Sequence, residues 1–154
     1  MSRLIIERED GTTEELQRLC HEDVLHTEEV ILPNSRIKNL RLSGGAGQSM
    51  VKLVLNFNNL TSLEFITQLP RLTHLNVQHN QISNLEGVQQ TKIRVLKISN
   101  NLIHSLKDVT TACPELEELW VANNSFEHPG AHVVLEASET ANCEFRVDSF
   151  ILGA

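Results

Sequence analysis

The chain has 154 residues, of which 40% are hydrophobic and only 4% aromatic, and its formal net charge is −7 at pH 7. This length suits one domain with its own core, which leucine, isoleucine and valine must fill because the chain has no Tyr and one Trp. The acidic charge disfavours direct binding to a nucleic-acid backbone, which needs clustered lysine and arginine, and no apolar run approaches the roughly 18 residues of a membrane span.

Residues 1–49 are predicted to form an N-terminal capping region. Thr12–Glu15 reads Thr-Thr-Glu-Glu, a combination typical of a helix start, so a short helix is predicted over residues 12–21. Short apolar runs predict three strands in the same region. These are Leu4–Glu7, Glu29–Leu32 and Ile37–Leu42.

Residues 50–126 contain four copies of one pattern, LxxLxLxxNxL. The copies begin at Met50, Leu72, Ile93 and Leu116, and each carries an asparagine at the same point of the pattern. These asparagines are Asn58, Asn80, Asn101 and Asn124, which are 22, 21 and 23 positions apart. A fixed period of this length predicts one small structural unit that is stacked repeatedly on itself.

Each LxL segment is predicted to be a short strand whose two apolar side chains point to one face. Stacked units would place these strands side by side as a parallel sheet on the concave side of a curved coil. The predicted strands lie near Lys52–Leu55, His74–Val77, Val95–Ile98 and Glu118–Val121.

The asparagine of each unit is predicted to end the strand at a bend, where its amide bonds to backbone groups that would otherwise be unpaired. Stacked asparagines would then form a ladder with a structural role. The return segments are short enough for short helices or 3-10 turns on the convex side. They are Glu64–Leu69, Gly87–Thr91 and Lys107–Cys113.

Both ends of the stack are predicted to be capped, because terminal repeats would otherwise expose their apolar outer faces. Ile37–Leu42 matches the strand half of the pattern, but Leu40 and Leu53 are only 13 positions apart. That spacing is short for a full coil and leaves two alternatives, a hairpin or a clipped repeat. Residues 127–154 are predicted to be a C-terminal capping segment, with Glu144–Asp148 as a last strand.

Residues 50–126 resemble the leucine-rich repeat family. The phrases LTHLNVQHNQISNLEGV and LEELWVANNSF resemble in particular its phosphatase-regulatory-subunit class, with repeats of about 22 residues, to which the leucine-rich repeat outer-arm dynein light chain belongs. The resemblance implies an α/β solenoid, a short curved right-handed coil with a parallel concave sheet. The class's usual C-terminal cap, with a Tyr-Arg pair, is missing from this chain.

The function that the resemblance implies is that of an intracellular adaptor, a monomer when free, that binds a partner protein on its concave strands. The cytoplasm is the expected location, with cytoskeletal, ciliary or nuclear placement as alternatives. Two other functions stay open: a regulatory subunit of an enzyme such as a protein phosphatase, and a protein-bound subunit of a ribonucleoprotein or of a dynein complex. Direct contact with nucleic acid or membrane is not expected.

The x positions inside each strand are predicted to face the concave side and to bind the partner. Trp120 shares a column with Lys97 and Asn76, and an exposed Trp is a typical binding anchor; the alternative is that it packs under the cap. Ser99 and Ala122 fall on the same face by this pattern. The predicted partner-binding residues are Phe57, His74, Asn76, His79, Arg94, Lys97, Glu118 and Trp120.

Catalysis, cofactor binding and metal binding are not expected. The glycine-rich segment Gly44–Ser49 lacks the Lys-Ser/Thr of a phosphate-binding loop and is followed by a predicted strand rather than a helix. His128 and His132 flank Pro129-Gly130, which disfavours a helix that would bring them together. The three cysteines, Cys20, Cys113 and Cys143, form no CxxC pair, so a thiolate zinc site is not predicted and a reducing compartment is favoured.

Overall fold

A computed structural model describes residues 3–16, 18–19, 22–23, 29–43, 47–88, 92–106, 113–125 and 144–145. In chain order the elements begin with six strands, which are β1 (Arg3–Arg8), β2 (Thr13–Leu16), β3 (Arg18–Leu19), β4 (Glu22–Asp23), β5 (Glu29–Ile31) and β6 (Ile37–Ser43). The repeat region then contributes β7 (Lys52–Val54), a 3-10 helix (Glu64–Gln68), β8 (His74–Asn76), β9 (Val95–Lys97), β10 (Glu118–Trp120) and finally β11 (Glu144–Phe145).

A parallel sheet of six strands runs in the order β5-β7-β8-β9-β10-β11. The predicted concave strands are confirmed, since β7 to β10 are all parallel and pair in one common register. The middle residue of each strand lies beside its counterpart in the next. In the described side chains this central column is Val30, Leu53, Leu75, Leu96 and Leu119, and it is buried.

One continuous core lies behind this sheet, built from the apolar positions of the repeat. In the second coil, for example, Leu55, Leu60 and Leu63 are almost completely buried. The 3-10 helix covers this coil on the convex side and buries Phe65 and Ile66. A 3-10 turn was predicted here, because the segment is too short for a longer helix.

The asparagine ladder is present. Asn58, Asn80, Asn101 and Asn124 each donate from Nδ2 to a carbonyl of their own strand and to one of the preceding coil. Each Oδ1 accepts a backbone N–H from the preceding coil. The amide therefore joins neighbouring coils at the point where the strand ends and its backbone groups lose their sheet partners.

The helix predicted over residues 12–21 is wrong for the described part of that range, since residues 17, 20 and 21 lie outside the described residues. Thr13–Leu16 is a strand that pairs antiparallel with β1, with Leu4 opposite Leu16. The turn before it explains the difference, because Gly11 has a φ of 85° and Arg8 N–H donates to the Thr12 carbonyl at 2.8 Å, which turns the chain back on itself. The Thr12 hydroxyl, which resembled a helix cap, instead donates to the Asp10 carboxylate at 2.6 Å.

The segment that contains Ile37–Leu42 belongs to a further coil of the repeat, which begins at β5, rather than to a clipped repeat. β5 pairs in parallel with β7, and Val30 lies beside Leu53, 23 positions later. β6 belongs to a different sheet, of three antiparallel strands in the order β2-β1-β6. Ile37–Ser43 thus occupies the return segment of the first coil, and Leu40 corresponds to Leu63 instead of to a concave leucine.

At the other end, Glu144–Phe145 pairs in parallel with β10. Residues 146–148 of the predicted last strand lie outside the described residues, as do 89–91 and 107–112 of the return segments. No helix in the described parts of the chain is long and apolar enough to cross a membrane.

Candidate functional site

Two columns of side chains flank the buried central column and form the concave face. The first column is Glu29, Lys52, His74, Val95 and Glu118, and the second is Ile31, Val54, Asn76, Lys97 and Trp120. Alternation along a strand explains this arrangement, since residues on either side of an inward leucine point outward. A shallow groove of about 320 Å³ lies between the columns and includes His74, Asn76, Lys97 and Glu118, all predicted site residues.

Charged side chains on this face are paired across neighbouring strands. Lys52 Nζ lies 3.1 Å from Glu29 Oε1, and Arg94 donates from Nε and Nη2 to Glu117 Oε1 at 2.9 and 2.6 Å. The hydrogen bond and the charge of Glu117 raise the pKa of the Arg94 guanidinium. All four side chains are about half exposed, so water screens both pairs and they contribute little to stability. Their main effect is to leave the face close to neutral.

Trp120 is held in place by its neighbours on the concave face. Its Nε1 donates to the Glu118 carboxylate, and Lys97 Nζ lies 5.1 Å from the centroid of its ring. Cation–π contacts of this kind contribute about 0.5–1 kcal/mol at exposed sites. The ring is partly exposed rather than buried under a cap within the described residues, so Trp120 has a fixed orientation and an accessible surface.

Phe57 and His79 lie together, as their positions in the repeat predicted. Their ring centroids are 4.2 Å apart and the rings are 8° from parallel. Both residues have left-handed backbone conformations, with φ of 58° and 56°. The equivalent residues in other coils are Asn34, Asn100 and Asn123, with φ between 53° and 59°, and asparagine tolerates this conformation well.

Phe57 is the residue in this column that combines a left-handed backbone with a large exposed apolar surface. A left-handed conformation costs a residue with a Cβ about 1–2 kcal/mol, and an aromatic pair returns only about 0.5–1.5 kcal/mol. Moreover, 48% of the Phe57 surface stays exposed to water. The stack with His79 and the burial of the other half of the side chain offset this backbone cost, but half of the Phe57 surface remains in water.

Ile31 belongs to the candidate site, although the repeat pattern as first applied did not include it. It lies beside Val54 in the second column and is 53% exposed. The signal that could have found it is the 23-residue spacing that relates Ile31 to Val54. Ile31 was missed because Ser35 occupies the position at which the later coils have the ladder asparagine.

Ser99 and Ala122 do not lie on the concave surface, contrary to the prediction from the pattern. Both are fully buried, and Ser99 Oγ accepts the backbone N–H of Ala122 at 3.1 Å. The chain is already turning toward the asparagine ladder at this point, so strict alternation no longer applies.

No group of three or more histidine, cysteine or acidic side chains that could hold a metal ion occurs within the described ranges. Cys113 is buried, with Sγ 3.9 Å from the Val88 carbonyl oxygen. The remaining residues weighed for metal binding, Cys20, Cys143, His128 and His132, lie outside those ranges.

Comparison with known proteins agrees with this architecture. A family model described as leucine-rich repeats (2 copies) matches residues 48–90, which span β7, the 3-10 helix and β8. Residues 48–90 therefore form leucine-rich repeats, and the parallel sheet extends on either side of them. An internalin from Listeria monocytogenes has the same fold, with a TM-score of 0.53 and 22% sequence identity over 69% of this chain and 33% of the internalin.

The curated relatives that this chain matches are much longer than the chain. Protein NUD1 of Saccharomyces cerevisiae is 31% identical over 93 residues, which cover 60% of this chain and 10% of that protein. The alpha subunit of human geranylgeranyl transferase type-2 is 37% identical over 79 residues, or 50% of this chain and 14% of the subunit. A leucine-rich repeat-containing protein 56 homolog of Trypanosoma brucei is 28% identical over 123 residues, which cover 75% of this chain and 16% of that protein. The chain spans about a tenth to a sixth of the length of these relatives, so each similarity covers a small part of the relative.

Proposed function

We propose that the concave face binds a partner protein and that the chain serves as an adaptor without catalytic activity of its own. The observation that carries this proposal is the exposed apolar surface of Ile31, which lies beside Val54 in the second column, together with the half-exposed Phe57 at the edge of the sheet beyond β7. A contiguous apolar surface of this kind marks an interaction site. Leucine-rich repeat proteins are in general interaction modules, which supports the same conclusion.

The rigidity of the sheet favours affinity. Each concave side chain projects from a strand fixed by its neighbours and by the asparagine ladder, so few groups need to be ordered when the partner binds. Trp120 is already oriented by Glu118 and Lys97. Because the charges Lys52 and Arg94 are paired within the chain, we expect apolar contact to contribute more to affinity than charge attraction does.

Trp120→Ala is expected to weaken partner binding by about 2 kcal/mol or more, which is typical of an interface hot spot. Thermal stability should change little, because the Trp120 contacts are on the surface. The measurement is a calorimetric titration with the partner recovered by affinity purification, together with a thermal melt of the same variant.

Leu102→Ala is the matched control. Leu102 is also apolar and is 48% exposed, but it follows the ladder residue Asn101 and lies off the concave strands. Its removal should leave partner affinity unchanged. If Trp120→Ala lowers the melting temperature and keeps full affinity, Trp120 is a structural residue and the concave face is not the binding site.

A further inference from the structure

The rings of Phe57 and His79 form a surface that we name the aromatic platform. His79 Nε2 lies 3.4 Å from Asn100 Nδ2, and Asn100 Oδ1 accepts a hydrogen bond from Asn123 Nδ2 at 2.8 Å. Because the Asn100 oxygen is used by Asn123, its nitrogen is the donor and His79 Nε2 is the acceptor. This chain of side-chain contacts fixes the His79 ring, and the stack fixes the Phe57 ring on it.

Phe57 and His79 have a left-handed backbone conformation that an asparagine would adopt with less strain. In three other coils of the same column an asparagine does occupy it, at Asn34, Asn100 and Asn123. A strained residue that stays half exposed is a basis for a functional hypothesis. We therefore expect Phe57 and His79 to bind a chemical group that stacks on an aromatic ring better than on an asparagine side chain.

We propose that the aromatic platform binds the planar guanidinium group of an arginine in the partner protein. This inference rests on the proposed function, since it names the chemistry of one contact of the same partner. A guanidinium is planar, weakly hydrated and positively charged, and it stacks on aromatic faces. The net charge of −7 attracts a cationic segment toward the chain.

The test selects random peptides from a display library on the full chain and removes those that also bind the Phe57→Asn variant. The enriched peptides are expected to share an arginine. Resynthesis with citrulline, which keeps the planar shape and loses the charge, or with lysine, which keeps the charge and loses the planar shape, should weaken binding by about 5- to 30-fold.

The Phe57→Asn variant separates binding from stability. Its melting temperature is expected to stay close to that of the wild type, because the relief of backbone strain opposes the loss of the Phe57 contacts, while its affinity for the arginine peptide falls by about 5- to 30-fold. A variant that melts well below the wild type would show that Phe57 is needed for the fold and would overturn the proposal.

Other outcomes would also overturn the proposal. These are the absence of enriched peptides, a consensus with an aromatic or apolar residue in place of arginine, and equal binding of the citrulline peptide. The proposed function and the arginine contact can be rejected independently of each other. If Trp120→Ala weakens the natural partner and Phe57→Asn does not, the concave face still binds the partner and only the arginine contact is rejected.

Discussion

Replacement of Asn80 by leucine is expected to lower the free energy of unfolding by about 3–5 kcal/mol. Asn80 is 8% exposed and lies in the middle of the ladder. Its Oδ1 accepts the Leu60 N–H at 3.0 Å, and its Nδ2 donates to the carbonyls of Leu55 and Val77, both at 3.0 Å. A leucine can replace none of these three hydrogen bonds.

The three hydrogen bonds lost in Asn80→Leu differ in their energetic cost. The Leu55 and Val77 carbonyls each keep a second ladder donor, from Asn58 and Asn101, both at 2.9 Å, so each loss costs about 1 kcal/mol. The Leu60 N–H loses its ladder acceptor in a buried site, which costs about 1–3 kcal/mol more. Urea unfolding should show a lower midpoint.

Asn124→Leu provides the matched control for this prediction. Asn124 makes the same set of contacts with Ile103, Ile98 and Val121 but is only partly buried, so water can replace some of its hydrogen bonds. The destabilisation should be clearly smaller than at Asn80. Equal effects at the two positions, or no change at Asn80, would contradict the ladder's role in holding the coils together.

Gly87→Ala is expected to destabilise the protein by about 2–4 kcal/mol, from backbone strain and a steric clash together. Gly87 has a φ of 96°, which a residue with a side chain rarely adopts. A Cβ at this position would lie 2.5 Å from the Leu63 carbonyl oxygen and 2.8 Å from Glu64 Cα. Both are backbone atoms of the preceding coil, so the clash cannot be relieved by a side-chain rotation.

Gly11→Ala separates the cost of the positive φ from the cost of the steric clash. Gly11 has a φ of 85°, but an added Cβ would meet no atom within 4 Å. It should therefore show the cost of the positive φ alone, about 1 kcal/mol. Thermal or urea unfolding of both variants measures the difference. If the two substitutions have the same effect, the return segments are not packed as closely as the structure places them.

The repeat region could be predicted from the sequence because one period fixes several features at once. The spacing that places Leu53 beside Leu75 and Leu96 also places Asn58, Asn80 and Asn101 in a ladder. The same register predicted that Phe57 and His79 would meet. It did not predict their left-handed conformation or the parallel arrangement of their rings, which depend on how the chain turns at the ladder.

The N-terminal region was less predictable because tertiary pairing overrode local preference. Thr12–Glu15 has the residue types of a helix start, yet the turn at Gly11 and the buried Leu4 and Ile6 of β1 favour a hairpin. The first coil was obscured by a single residue, Ser35, whose backbone N–H donates to Asn58 Oδ1 at 2.9 Å. The ladder thus continues to Ser35 without an asparagine there, and Ile31 was missed for the same reason.

Hydroxyl-radical footprinting, with and without the partner recovered by affinity purification, tests most directly whether the concave face is the binding site. Ile31 lies on this face and Phe57 at its edge, and they are 53% and 48% exposed, while Leu102 is 48% exposed and lies beyond the ladder residue Asn101. Binding is predicted to slow the oxidation of Ile31, Phe57 and Trp120 and to leave Leu102 unchanged. Protection of Leu102, with unchanged oxidation of Ile31 and Phe57, would contradict binding at the concave face.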